Sequence, residues 1–405
     1  MQLQHSTLCL TSRLGVTLRT IILSCLFMVP PAVGPNCVQA QLVIAGIEAK
    51  LDVTTGEWIP LFDAGPDSLA IIDCAQFPPK VQHVAGIANS VIGPPSNVAI
   101  TPGGKVALVA NSLKLDRNSP DGYVPDTLVQ VVDLTRQPPQ LVGIAEAGRQ
   151  PSGISITPDG RLALVANRAD GTITVLSIDG TDVKPVQTVK VGEPADQVSD
   201  VAISPDGKLA LASVTEGYHL KVLEISDGEV TATDRKLSVC GKPYRTVITP
   251  DGELGLTAGS GQGAPDVDAL TVVDLTADPI RTIDFVPLGN GPESFGVSPD
   301  GKLVAVMLVN GSNVPPQEPL HNKNALLVIL ARRGKTYEIV QQVPVGPIVQ
   351  GAAFTADGKY LLAECYIDNE IWVFRVNGET VQDTGHRIHT PGFPSSIRAA
   401  ARPAR

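Results

Sequence analysis

Residues 152–167 read SGISITPDGRLALVAN. Two apolar runs, each of strand length and too short for a helix, flank a Thr-Pro-Asp-Gly turn. Pro158 presets its own φ, and Gly160 reaches the positive φ that a tight turn demands. The stretch therefore reads as an antiparallel hairpin. Similar segments stand at 96–111 (SNVAITPGGKVALVAN), 199–214 (SDVAISPDGKLALASV), 244–259 (YRTVITPDGELGLTAG), 293–308 (ESFGVSPDGKLVAVML) and 350–365 (QGAAFTADGKYLLAEC). Their turn glycines fall at 104, 160, 207, 252, 301 and 358, so the unit recurs every 45–57 residues.

Outward from each hairpin lies a third apolar strand: 128–135, 172–179, 220–227, 270–276, 325–332 and 370–377. A fourth, more polar strand follows, as at 183–192 and 337–346. Four antiparallel strands in about 50 residues make a propeller blade. Six copies are complete, and the chain ends supply a seventh. Residues 394–399 repeat the inner-strand opening seen at 151–156, while 42–52, 68–73 and 81–88 read as second, third and fourth strands lacking a first. The sequence thus predicts an all-β, seven-bladed β-propeller of four-stranded antiparallel blades over 41–405. It is closed by the C-terminal inner strand joining the N-terminal strands, so trimming 394–399 should open the ring.

These repeats, of the form I-TPDG-KLALVAN followed by a VTVVD-like strand, resemble the YVTN-type (YncE-like) seven-bladed propellers of the lactonase-like superfamily. The likeness runs through nearly all of 41–405. WD40 signatures are missing, and Trp58 and Trp372 are the sole tryptophans. The superfamily includes lactonases, cofactor-free subunits of dehydrogenases and surface proteins, so the resemblance implies the fold and leaves the activity open.

Residues 1–40 hold two bases, Arg13 and Arg19, no acid, and an apolar run at 21–29. That run is shorter than the roughly 20 residues a membrane span needs and has the length of a signal-peptide core. The reading is a signal peptide over 1–40, cleaved before Gln41, with a periplasmic or secreted product and no membrane insertion afterwards. Ile22-Leu23-Ser24-Cys25 is a poor lipobox. Cys74, Cys240 and Cys365 remain in the mature chain, a set too sparse for a disulfide framework. The chain's 31 Lys and Arg against 41 Asp and Glu argue against nucleic acid as a partner.

In a propeller, the fourth-to-first and second-to-third connections share one face around the channel mouth. Three second-to-third connections are long: 111–126, 259–268 and 310–324. Inner strands open there with Asn97, Asp200, Arg245, Glu293 and Gln350, and second strands end near Asn111, Asn167, Asp170, Glu216, His219, Glu364 and Asp368. The expected ligand-binding set is Asn97, Asn167, Asp200, Arg245, Glu293, Gln350 and Asp368; a ring of such groups suits a small polar ligand. His219, Arg245 and Glu293 are the catalytic candidates, able to activate water and polarise a carbonyl if they converge. His321 is a further mouth-loop histidine, whereas His386 and His389, three apart in an extended segment, point to opposite faces. No G-x-S-x-G, H-E-x-x-H or P-loop motif occurs. No metal and no cofactor are expected, and the chain is expected to be monomeric. The first reading is an exported propeller that binds a protein or small polar ligand without catalysis. The alternative is a lactonase-like hydrolase of a sugar or other lactone, and the second alternative a cofactor-free propeller subunit of a periplasmic redox enzyme.

Overall fold

A computed structural model of the chain describes residues 41–54, 57–259 and 266–401. The leader at 1–40 and part of the 259–268 connection lie outside the described residues. Within them the chain forms seven four-stranded antiparallel sheets. Six are consecutive in sequence; in the second blade the strands are Pro151–Ile156, Leu162–Asn167, Thr172–Asp179 and Asp182–Lys190. The closing blade is composite, as expected. Phe393–Ala399 pairs with Leu42–Glu48, which pairs with Ser68–Asp73, which pairs with Lys80–Ala85. Ala45 stands opposite Ile397 in this clasp, and Ile397 is buried between blades.

Side chains explain why the hairpin motif recurs. In the second blade Thr157 Oγ1 donates to Asp159 Oδ1 at 2.6 Å and accepts the Leu162 N–H at 3.0 Å, while Asp159 accepts the Arg161 N–H at 3.0 Å. The same knot forms at Ser204–Asp206, Thr249–Asp251, Ser298–Asp300 and Thr355–Asp357. Pro and Gly of the motif link neighbouring blades. A methyl group on Gly160 would stand 3.3 Å from Pro102 Cδ, and one on Gly207 3.4 Å from Pro158 Cδ. Gly252, Gly301 and Gly358 meet Pro205, Pro250 and Pro299 in the same way, so each turn nests against the proline of the blade before it.

Burial follows the seven-fold plan. Seven apolar clusters each combine two adjacent blades; Leu164, Ile173, Val201 and Leu223, for example, join the second and third. An eighth cluster is different. Leu51, Val91, Leu113, Ile348 and Tyr366 come from the mouth-face connections of the sixth, closing and first blades. The run expected as one strand over 42–52 breaks at Glu48, and Leu51–Asp52 instead pairs with Ile59–Pro60 in a small hairpin. The long 111–126 connection also folds as a hairpin, Leu113–Leu115 with Tyr123–Pro125. The two hairpins touch, since Gly122 lies against Pro60 and Phe62 with no room for a Cβ. Together they cap one side of the channel mouth.

Candidate functional site

The channel is lined by inner strands that bulge. Strand register skips Ser152 and Gly153 in the second blade, Ser199 in the third, Glu293 in the fifth, and Gln350 and Gly351 in the sixth. The closing strand does the same at Ser395. A bulge leaves its extra residue unpaired and re-aims its side chain. Five inner strands thus present a polar side chain near the mouth end. Ser152 Oγ and Gln350 Oε1 are buried without a protein partner, as buried polar atoms facing an internal water or ligand would be.

Asp200 is the hub. Its Oδ1 accepts from Ser96 Oγ at 2.9 Å, and its Oδ2 accepts from Arg245 Nη1 at 3.0 Å and from the Thr246 N–H at 2.8 Å. Asp200 is fully buried and Arg245 nearly so. Space for the hub comes from Gly153, where a Cβ would fall 1.9 Å from Asp200 Oδ1. Three adjoining blades and the segment before the first blade therefore tie together at one carboxylate.

Beside the hub lies a pair that is not neutralised by hydrogen bonds. Burial pushes the Glu293 carboxyl up to about 7, and the Arg168 guanidinium opposes that shift. No hydrogen bond to the Glu293 carboxylate forms among the described residues. Arg168 donates to Gln197 Oε1 at 2.5 Å and stands 5.8 Å from the centre of the Tyr244 ring, and its Nε is buried without a partner. Burial and the nearby Glu293 push the Tyr244 hydroxyl well above its ordinary range. Glu293, Arg168 and Tyr244 all keep partial exposure. They belong to the side of the mouth that the two hairpins do not cover. A carboxylate that changes charge near neutrality, next to a guanidinium and a phenol, can relay a proton and stabilise a developing oxyanion.

A second polar seam runs beneath the two hairpins and lines a cavity of its own. Lys50 Nζ pairs with Asp67 Oδ2 at 2.5 Å and donates to Asn111 Oδ1 at 3.0 Å. Asp67 accepts the Ala49 and Asn89 N–H groups at 2.9 Å each. Beneath it the Tyr366 hydroxyl donates to Glu48, whose carboxyl burial raises to about 7. Glu48 also accepts the Lys50 and Leu51 N–H groups, so it ties down the capping hairpin.

The structure sorts the sequence candidates. Asp200, Arg245 and Glu293 come to the axis. Gln350 does too, on its bulge. Asn97 is buried at the axis end of the first blade, where Nδ2 donates to Ala110 O and Asn89 Oδ1. Asn167 turns away into its blade, donating to Thr172 and Thr174. Asp368 sits against Gly346, and burial with the nearby Glu370 raises its carboxyl. The equivalent Asp170 caps the Arg149 N–H at 2.7 Å. His219 is not brought to Glu293. It opens the strand His219–Ser226, its Nδ1 meets Gly217 O at 2.8 Å, and its charged neighbours are Lys236, Lys221 and Asp196. Of the other mouth residues, Glu216 pairs with Lys242, His321 Nδ1 meets Val314 O, and Glu364 accepts the Gly351 N–H. Cys74, Cys240 and Cys365 are free. Among the described residues no group of three or more His, Cys, Asp or Glu is placed to hold a metal ion. Arg168, Tyr244 and Arg398 were not marked by the sequence. Arg168 follows the strand Leu162–Asn167, Tyr244 precedes Arg245–Ile248 and Arg398 lies within Phe393–Ala399, and each reaches the axis only through blade geometry.

Residues 118–248 match the family described as Lactonase, 7-bladed beta-propeller. The chain has the fold of a seven-bladed propeller. The periplasmic gluconolactonase of Pseudomonas aeruginosa is similar in structure, with a TM-score of 0.62 and 17% identity over 89% of this chain and 99% of that one. A candidate 6-phosphogluconolactonase from Bacteroides uniformis gives a TM-score of 0.66 at 16% identity, over 89% and 99% of the two chains. Hydrazine synthase of Kuenenia stuttgartiensis gives 0.60 at 18% identity, over 78% and 94%. None of the curated proteins matches the chain in sequence. Identities this low carry the fold and not the chemistry.

Proposed function

We propose that this protein is a lactonase-like hydrolase that opens a lactone in the mouth of its central channel. The observation that carries the reading is Glu293, held on a bulge at the axis with its carboxyl at about 7 and opposed by Arg168. The lactonase family match over 118–248, which contains Arg168, supports the same reading. The TPDG-x-LALVAN repeat supports placing the chain in the YVTN-type group.

In this reading ionised Glu293 takes a proton from water as the water oxygen adds to the lactone carbonyl carbon. The carbonyl electron pair moves onto oxygen, where Arg168 and the Tyr244 hydroxyl offset the charge. Collapse of the tetrahedral intermediate breaks the bond to the ring oxygen, which takes the proton back from Glu293. The product is the open hydroxy acid. The Asp200–Arg245 pair holds the inner strands in register and is a positioning element. Buffered proton release from a panel of γ- and δ-lactones, sugar lactones included, tests the proposal with purified 41–405. Turnover that falls about 10²–10⁴-fold in Glu293→Gln supports it. Wild-type rates no faster than buffer across the panel would instead favour capture of a ligand without chemistry.

A further inference from the structure

The channel has a second opening, at the face of the Pro-Asp-Gly turns. A funnel of about 560 Å³ lies there, within the span of about 300–1,000 Å³ typical of small-molecule pockets. Its rim is Pro102, Pro158, Pro205, Pro250 and Pro299, one from each of five turns, and Arg398 of the closing strand lines it. The prolines sit in the repeat for blade packing, as the glycine contacts show, yet their rings also leave an apolar collar around the axis.

Arg398 is out of place in such a collar. Its Nε donates to Val98 O at 3.3 Å and its Nη2 to Ile154 O at 3.0 Å. Among the described residues no carboxylate forms an ion pair with it. Asp200 is the opposite charge it feels, but that carboxylate already accepts from Arg245, Thr246 and Ser96. Arg245 adds a like charge nearby, and burial together with that repulsion lowers the Arg398 guanidinium to about 9. Two guanidinium groups thus face one carboxylate, and only Arg245 is hydrogen-bonded to it. Buried charges in proteins are paired, because an unpaired one loses hydration without recompense.

From this geometry we infer that the turn-face funnel is a separate binding site for a monocarboxylate with an apolar body, its carboxylate on Arg398 and its apolar part within the proline collar. The site uses none of Arg168, Tyr244 and Glu293, and it does not depend on the lactone reading. Octanoate is a suitable probe, with 1-octanol as its neutral control, both measured by titration calorimetry on 41–405. Octanoate should bind, 1-octanol should bind about tenfold or more weakly, and Arg398→Gln should cost octanoate a similar factor, as loss of a charge-assisted contact does. Ile156→Trp, which fills the funnel and keeps Arg398, should abolish binding while circular dichroism stays unchanged, and it decides the matter should Arg398→Gln not fold. Glu293→Gln should leave octanoate affinity unchanged. Absence of octanoate binding, full affinity in Ile156→Trp, or loss of affinity in Glu293→Gln would each overturn the proposal.

Discussion

At Glu293, two properties that usually conflict are combined: burial enough to raise the carboxyl to about 7, and partial exposure to the channel. The linkage has a definite sign. A carboxyl whose folded value lies above its ordinary 4.5 keeps its proton in the fold while the unfolded chain has lost it. The wild type therefore loses stability as pH rises from about 4.5 to about 7, and Glu293→Gln removes that loss. Denaturant unfolding should show the variant more stable than wild type by about 1–3 kcal/mol at pH 8, with the difference shrinking toward pH 5. A constant difference at both values would show that Glu293 is not held protonated by its surroundings. Gly153 is the second residue with an exacting role. Gly153→Ala would drive a methyl into Asp200, so it should cost about 1–3 kcal/mol in a melt and slow any turnover, whereas Gly143→Ala, where the nearest atom is 3.8 Å away, should be near neutral.

Among the elements, the turn knots carry the repeat's chemistry. The hydroxyl bonds from Thr157 and Ser204 hold Asp159 and Asp206 below their ordinary 3.8, and Asp251, Asp300 and Asp357 are lowered as well despite their partial burial. Depressed carboxyls give stability that is complete above the ordinary value and drains as pH falls through the folded ones. Melting temperatures should accordingly drop as pH falls below about 4, and Asp159→Ala should cost about 0.5–1 kcal/mol at pH 7 and less at pH 3. The strands were legible in the sequence because this motif and the apolar runs around it are local. The bulges were not. A skipped residue such as Glu293 looks like any inner-strand position until Ser294 is seen opposite Met307 and Pro292 opposite Leu308, with Glu293 left unpaired between them. Asp200, Arg245 and Glu293 were legible from their place at strand starts, whereas Arg168, Tyr244 and Arg398 depend on which blades face each other across the axis. His219 has the right chemistry and the wrong address, since the second-to-third connection carries it to the third strand.

On the scale of the whole molecule, closure couples the two ends of the chain. Ile397 packs with Val43, Ala45 and Leu362 where the closing blade meets the sixth, and the neighbouring Arg398 reaches across to the first and second blades. Ile397→Ala should cost about 2–5 kcal/mol, the range for a large side chain removed from a packed core. Removing 393–399 entirely should leave an unpaired edge on Leu42–Glu48 and turn a monophasic melt into a broad or aggregating one. The same closure fixes the site. The closing and first blades carry the two capping hairpins, the second and fifth blades carry Arg168 and Glu293, and the channel opens again at the proline collar. The role of Glu293 is tested most sharply by the pH dependence of kcat/KM for lactone opening, run on wild type and Glu293→Gln. The wild-type rate should rise with pH and level off near 7, and the variant should lose both that limb and about 10²–10⁴ of the rate. A wild-type rate with no inflection near neutrality, or a variant that keeps it, would contradict the assignment of Glu293 as the base.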